Sequence, residues 1–288
     1  GALYRAQVAR GGCAIHDPAR HDAARPRADT LPWQLKTALG GGAIAVALQP
    51  RIDLVTGRVV AAGLVGHWQP PGGNGALGLA ELWPIAEASG LVAAVATWLV
   101  DTVAVLREDG LDDLVASVSL AGLAGPRIAL AALDEACRRR PAGRIEVALP
   151  ASACGVGADG RMATLLDRCR ASGATFAVAN AGAAPLDWWA LRALPIETLL
   201  LAPPITAELG SDARADAVAR AIGDLGHAFQ CRTVAAGIAT SSQRERVRAL
   251  GVHDGQGPAI AAPMSPPDFR RWRADTERAE APALATAR

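Results

Sequence analysis

Few side chains in this sequence could carry chemistry, and their spacing excludes more than it allows. Glu146 is the carboxylate inside an otherwise apolar run, residues 145–149. A carboxylate buried in such a run is kept by a cation, and Arg232 or Arg144 would be such a partner. His67, His227, His253 and Cys231 are of metal-ligating type, yet none stands at HxxxH or CxxC spacing, so no metal site is expected of them. The five cysteines, Cys13, Cys137, Cys154, Cys169 and Cys231, are odd in number and lack paired spacing. That suggests no disulfide framework and fits a reducing cytoplasm. Gly40-Gly41-Gly42 and Gly72-Gly73-Asn74-Gly75 have no following Lys-Ser/Thr and read as turns, not phosphate loops.

The elements that must position these residues begin at Leu31. Short apolar runs occupy residues 43–48, 59–65, 114–120, 145–149, 175–179, 198–201, 233–238 and the neighbourhood of Val252. Each is mostly apolar on both faces, as a parallel strand covered by helices is. Helix-length segments alternate with them at 77–88, 92–106, 127–139, 161–171, 187–193, 213–225 and 241–250. The alternation predicts an α/β fold, a TIM-like (β/α)8 barrel. Only residues 50–58 separate the first two runs, and Val55-Thr56-Gly57 suits a tight turn. A parallel crossover needs a dozen residues or more, so the first strand pair is expected to be antiparallel.

The chain has 288 residues and a net charge of +1 from 29 basic and 28 acidic residues, so its overall charge favours neither nucleic acid nor an anionic membrane. No apolar run reaches the roughly 18–20 residues that span a bilayer. Residues 1–30 have too few apolar side chains for a core and read as a helix end, a short strand and a linker; residues 276–288 read as a polar, Ala-rich tail, partly helical or disordered.

Leu48-Gln49-Pro50-Arg51-Ile52-Asp53-Leu54-Val55-Thr56-Gly57 resembles the opening YQPIVDLxTG of EAL domains, the cyclic di-GMP phosphodiesterase family. Trp83-Pro84-Ile85-Ala86-Glu87-Ala88-Ser89-Gly90-Leu91 is similar to the family's FIPLAEESGLI, and Leu194-Pro195-Ile196-Glu197-Thr198-Leu199 to its LPVDxLK. Leu250-Gly251, Gln256-Gly257 and Pro263-Met264 match its LGxxxxQGYxxxxPM. The resemblance covers residues 31–275 and implies the same barrel with an antiparallel first pair. Ala2-Leu3-Tyr4-Arg5-Ala6 resembles the last helix of a GGDEF domain, which makes residues 1–30 the expected remnant of such a domain plus a linker.

Active members hold two divalent ions at the barrel's carboxyl end, and such ions need several anionic or carbonyl oxygens each. At those positions the family's naming glutamate falls at Gly63, its asparagine ligand at Ser119, and its ELTE pair at Glu146 and Leu149. Its paired aspartates fall at Ala179 and Asn180, the lysine and aspartate of KID at Leu200 and Ala202, and the glutamate of AEGVET at Ala236. The resemblance therefore implies a degenerate site. The expectation is a chain that is not an enzyme, holds no cofactor or metal, and acts in bacterial cyclic di-GMP signalling through protein contacts or a homodimer.

The second reading is a non-hydrolysing receptor for cyclic di-GMP or another nucleotide in the same cleft. Gln49 and Gln256 match family positions that line the ligand site, and His67 stands where the family has an arginine. A buried amide can bond a base edge or phosphate, or satisfy backbone groups at strand ends, whereas a neutral imidazole replaces a bidentate guanidinium poorly. Glu146 in that frame is either a leftover ligand at the barrel mouth or the arginine-paired carboxylate described above. The pair Trp188-Trp189 would anchor a partner if exposed and would be core if not.

Overall fold

The computed structural model describes residues 18–73, 75–111, 114–120, 122–123, 125–140, 144–154 and 160–285. The apolar runs become β1 (Ile44–Asp53), β2 (Val59–Trp68), β4 (Ala116–Ser119), β5 (Ile145–Pro150), β6 (Ala174–Ala181), β7 (Thr198–Leu201), β8 (Arg232–Ala236) and β9 (Asp254–Gln256). These eight strands close on themselves in the order β1, β9, β8, β7, β6, β5, β4, β2, with β1 pairing β2 to seal the ring. A two-residue strand, β3 (Leu77–Gly78), is added to the edge of β2. The observed architecture is a closed α/β barrel whose first pair is antiparallel.

The tight turn between β1 and β2 has a local cause. The Asp53 carboxylate accepts from the backbone N–H groups of Val55 and Thr56 and from the Thr56 hydroxyl, and Gly57 supplies a φ of 74°. β1 extends beyond its apolar run, through Pro50, Arg51 and Ile52. Pro50 has no N–H to give, and it is tolerated because the β1–β9 ladder begins only at Arg51, opposite Gln256.

The helices are α1 (Pro18–Gly41), α2 (Leu79–Ser89), α3 (Val92–Leu106), α4 (Pro126–Arg139), α5 (Gly160–Ala171), α6 (Trp188–Leu191), α7 (Pro203–Glu208), α8 (Ala213–Ala228), α9 (Ser241–Ala249) and α10 (Pro266–Ala285). In place of the linker expected before residue 31, α1 runs unbroken through that point, and α10 continues through residues 276–285 of the expected tail. Residues 1–17, with the GGDEF-like Ala2 to Ala6 stretch and Cys13, lie outside the described residues. The core between barrel and helices is filled by Trp68, Trp83, Phe176 and Phe269, each at most 1% exposed, and by leucines and valines around them. No described helix is long and apolar enough to cross a membrane.

At the amino-terminal end of the parallel strands, Arg232 bonds both Asp254 and Asp53, tying β8, β9 and β1 where the ring closes. At the opposite end the chain after β9 must pass close to the segment after β8. A Cβ on Gly257 would stand 2.3 Å from both the nitrogen and the oxygen of Ile238, which are themselves bonded to Gln256 and Ala259. Gly257→Ala is therefore expected to cost about 2 kcal/mol or more in urea unfolding. Gly251→Ala, at a φ of 79° but in open space, should cost only about 1 kcal/mol.

Candidate functional site

Because side chains alternate along a strand, each barrel strand sends every second residue into the lumen. At the carboxyl end this gathers eight of the positions singled out above. Gln49, Gly63, Ser119 and Ala179 line one cavity together with Asn180, Leu200, Ala236 and Gln256, and its volume is about 240 Å3. Sequence reasoning missed Ser117 and Ala148, which also line it and lie two residues before Ser119 and two after Glu146. Strict period-two counting finds Ser117 from Ser119 and Ala148 from Glu146.

Four singled-out residues do not line the cavity. Leu149 points to the opposite face of β5 and is wholly buried in the core. Ala202 is buried as the residue that opens α7. His67, two residues beyond Val65 on β2, is exposed above the rim. Glu146 lies one layer deeper.

Its surroundings correct the expected partner. Neither Arg232 nor Arg144 reaches Glu146; Arg51 does, across the lumen from β1. The guanidinium donates from Nη2 to Oε1 at 2.6 Å and from Nη1 to Oε2 at 3.0 Å. The Ser117 hydroxyl on β4 donates to Oε1 at 2.7 Å, and the Thr198 hydroxyl on β7 to Oε2 at 2.9 Å. Arg51 and Glu146 are only 3% and 4% exposed. Burial alone would raise the Glu146 carboxyl, but Arg51 and the two hydroxyls outweigh it and hold the group below its ordinary value. Arg232 is engaged elsewhere, on Asp254 and Asp53.

Above this pair, Ala148, Ala177 and Ala179 pack with Leu200 into a small apolar layer. The polar side of the mouth is built from amides. Gln49 donates to the Ala261 carbonyl at 3.3 Å, which turns its oxygen to accept from Gln256 Nε2 at 3.1 Å. Gln256 also fills the room beside Gly63: a Cβ there would meet Gln256 Nε2 at 2.4 Å. The space in which the resemblance places a carboxylate is thus occupied by an amide from β9. Trp83 fixes the end of β4 by donating to the Ser119 carbonyl at 2.8 Å. Asn180 sits at a φ of 58°, a conformation that asparagine tolerates better than most residues.

These residues do not fit two divalent ions. Both oxygens of Glu146 are spoken for, and among the described residues no three His, Cys, Asp or Glu side chains gather as a metal centre would require. Cys231 and His253 serve the framework, on the Ile196 carbonyl and on Thr233. The tryptophan pair divides its roles. Trp188 packs on Phe229, 5.9 Å between centroids, at the end of α8 that leads into the start of β8 and thus away from the mouth. Trp189 is 73% exposed with the Arg192 guanidinium stacked 3.8 Å from its centroid.

Compared with known proteins, residues 33–263 match the model of the EAL domain. The chain belongs to the EAL-domain family. It is 29% identical over 263 residues to the cyclic di-GMP phosphodiesterase PA2567 of Pseudomonas aeruginosa, covering 87% of this chain and 44% of that protein. It is 23% identical over 271 residues to the bifunctional diguanylate cyclase/cyclic di-GMP phosphodiesterase MucR of the same organism, covering 91% and 39%. The chain thus spans less than half the length of these curated relatives. Among solved structures, the PaMucR phosphodiesterase in complex with c-di-GMP superposes with a TM-score of 0.72 at 21% identity, over 82% of this chain and 98% of that one. The EAL enzyme Bd1971 in its cAMP- and cyclic-di-GMP-bound form gives 0.73 at 20% identity, over 87% and 70%.

The expectation that the chain is not an enzyme is corrected by these relatives. The curated protein matched along 87% of this chain is a cyclic di-GMP phosphodiesterase, so membership of the family is no argument against catalysis. The poor fit to two divalent ions describes one metal arrangement and is not a measure of activity.

Removing one partner of the buried pair leaves the other charged and unpaired, so Arg51→Met or Glu146→Gln alone should cost about 3–5 kcal/mol in urea unfolding. The double variant is expected to cost less than either. Because the folded carboxyl titrates below its ordinary 4.5, the bond contributes fully above that pH and is lost as pH falls through the lowered folded value. Unfolding free energy followed from pH 6 to pH 3 should therefore drop more steeply for the native protein than for Glu146→Gln.

Proposed function

We propose that this chain serves in cyclic di-GMP signalling by taking cyclic di-GMP at the mouth of the barrel. The observation that carries this reading is the open cavity of about 240 Å3, where a plug of apolar side chains would have left no room. Eight of the positions that the family resemblance singles out converge on it, and two of them, Gln49 and Gln256, present a fixed amide pair. That relatives are phosphodiesterases of this dinucleotide, and that solved EAL domains are complexes with it, supports the same ligand.

A second reading, action through a protein partner or a homodimer, is favoured by Trp189 alone. Its exposed ring is held by Arg192 and by a helix whose start is capped by the Asp187 carboxylate. On that reading Trp189→Ala lowers the mass measured by light scattering or abolishes partner capture without changing nucleotide affinity.

Calorimetric titration with cyclic di-GMP tests the first reading. Micromolar binding is expected, weakened about tenfold by Gln49→Ala, which removes the acceptor that orients Gln256. No binding heat up to millimolar ligand would sink it.

A further inference from the structure

We infer that the barrel carries a second ligand site on its outer wall, a groove that takes a long-chain fatty carboxylate with its head on Lys36. The site is separate from the mouth and does not depend on what binds there.

The groove follows from the antiparallel start of the barrel. Each parallel crossover lays a helix over the wall, but the tight turn between β1 and β2 brings none. The wall over this hairpin is left to α3, the start of α10 and the end of α1, and they do not close over it. They leave a cavity of about 790 Å3, within the roughly 300–1,000 Å3 of small-molecule sites. Val46 of β1 lines it from the barrel wall. Opposite Val46 on β2 stands Gly66, where a Cβ would meet the Trp98 ring at 3.3 Å. The glycine thus lets that indole lie down on the sheet and extend the apolar floor. Val105 of α3, also on the lining, is 46% exposed.

Shape and charge name the occupant. α3 lines the groove from Ala93 to Leu106, about 20 Å of helix at 1.5 Å per residue. Spread over that length, the volume gives a mean cross-section of about 40 Å2, at most half that of an α-helix with its side chains. The groove suits one extended alkyl chain instead, and about sixteen carbons span it at roughly 1.25 Å per carbon along a zigzag of about 1.5 Å bonds.

The two ends differ. α1 leads into the start of β1, opposite Trp68, whereas Asp109 follows α3 toward the start of β4. At the Asp109 end the Arg270 guanidinium donates to the Asp109 carbonyl and ties α10 to the segment after α3. At the α1 end stands Lys36, the only lysine of the chain, exposed and without an ion pair among the described residues. The other ionisable side chains on the lining are both acidic: Asp109, and Asp101, which accepts from Arg140 at 3.3 Å. An anionic head is therefore attracted at the Lys36 end and repelled along the rest of the groove.

The test is calorimetry on the intact chain with saturated carboxylates of eight to eighteen carbons, kept below micelle formation. Affinity should rise about tenfold for every two methylenes and stop rising near sixteen carbons. At twelve carbons the carboxylate should bind about tenfold more tightly than the alcohol, and the trimethylammonium least. Lys36→Met should remove the advantage of the carboxylate and leave the affinity of the alcohol unchanged. Bound carboxylate should also slow acetylation of the Lys36 amine by acetic anhydride, read by mass spectrometry of the single lysine-bearing peptide. Ala94→Phe, at an exposed position on the lining, should abolish binding with unchanged thermal melting.

Absence of binding, equal affinity for the three head groups, or binding that survives Ala94→Phe would each overturn the inference. A dimer seen by light scattering that Ala94→Phe dissociates, with no carboxylate bound, would overturn it too and give the groove to a second copy of the chain.

Discussion

The bond between Arg51 and Glu146 is the constraint on which the rest of the barrel depends. Two charges are taken almost wholly out of water, and only complete hydrogen bonding at the carboxylate makes that tolerable. Its four bonds come from β1, β4 and β7 while the carboxylate itself belongs to β5, so four of the eight strands meet at one point near the axis. The neighbouring lumen residues are small, and alanines alone would specify register weakly. A slip of one residue in β1 would turn Arg51 out of the lumen and strand Glu146 without a cation. The pair thus acts as a register lock whose alternative states are far worse than its native one.

The small residues above the lock explain the shape of the mouth. Gly63, Ala148, Ala179 and Ala236 leave room that larger side chains would fill. Gln256 uses part of it by lying against Gly63, where any Cβ would collide with its amide. The amide orientation then follows by succession: the Ala261 carbonyl fixes Gln49, and Gln49 fixes Gln256. Backbone geometry behind the mouth supports this succession, since the tight passage of Gly257 past Ile238 keeps the end of β9 in place.

Most of the fold is legible in the sequence because each buried strand is apolar on both faces and each covering helix is not. The departures are equally physical. A proline followed by an arginine looks like the end of a strand, yet β1 continues through both, because the ladder on that side starts one residue after Pro50 and the arginine is inward. Arg232 and Arg144 are near Glu146 in the expected barrel, while its true partner, Arg51, is 95 residues away in the chain and reaches it only through ring closure. Motif alignment makes Leu149 a site position, although alternation along β5 sends it to the core once Glu146 and Ala148 face the lumen. The step from missing acidic residues to missing catalysis does not hold for another reason: it reads an activity from single positions, and the family relatives give it no support.

The antiparallel direction of β1 organises the chemistry of the lumen. Descending from the mouth, its inward residues are Gln49, Arg51 and Asp53, and each meets a complementary group on another strand: Gln256, Glu146 and Arg232 respectively. The parallel strands run the opposite way, so β8 places Arg232 at the floor and Ala236 at the mouth. Charges are thereby paired off in the two lower layers and neutral amides are left at the top. A cation free to meet an anion would have to come from breaking one of those pairs, at the cost of an unpaired buried charge. The neutrality of the mouth is therefore a consequence of how the lumen below it is held together, and the ligand chemistry open to the mouth is set by that same arrangement.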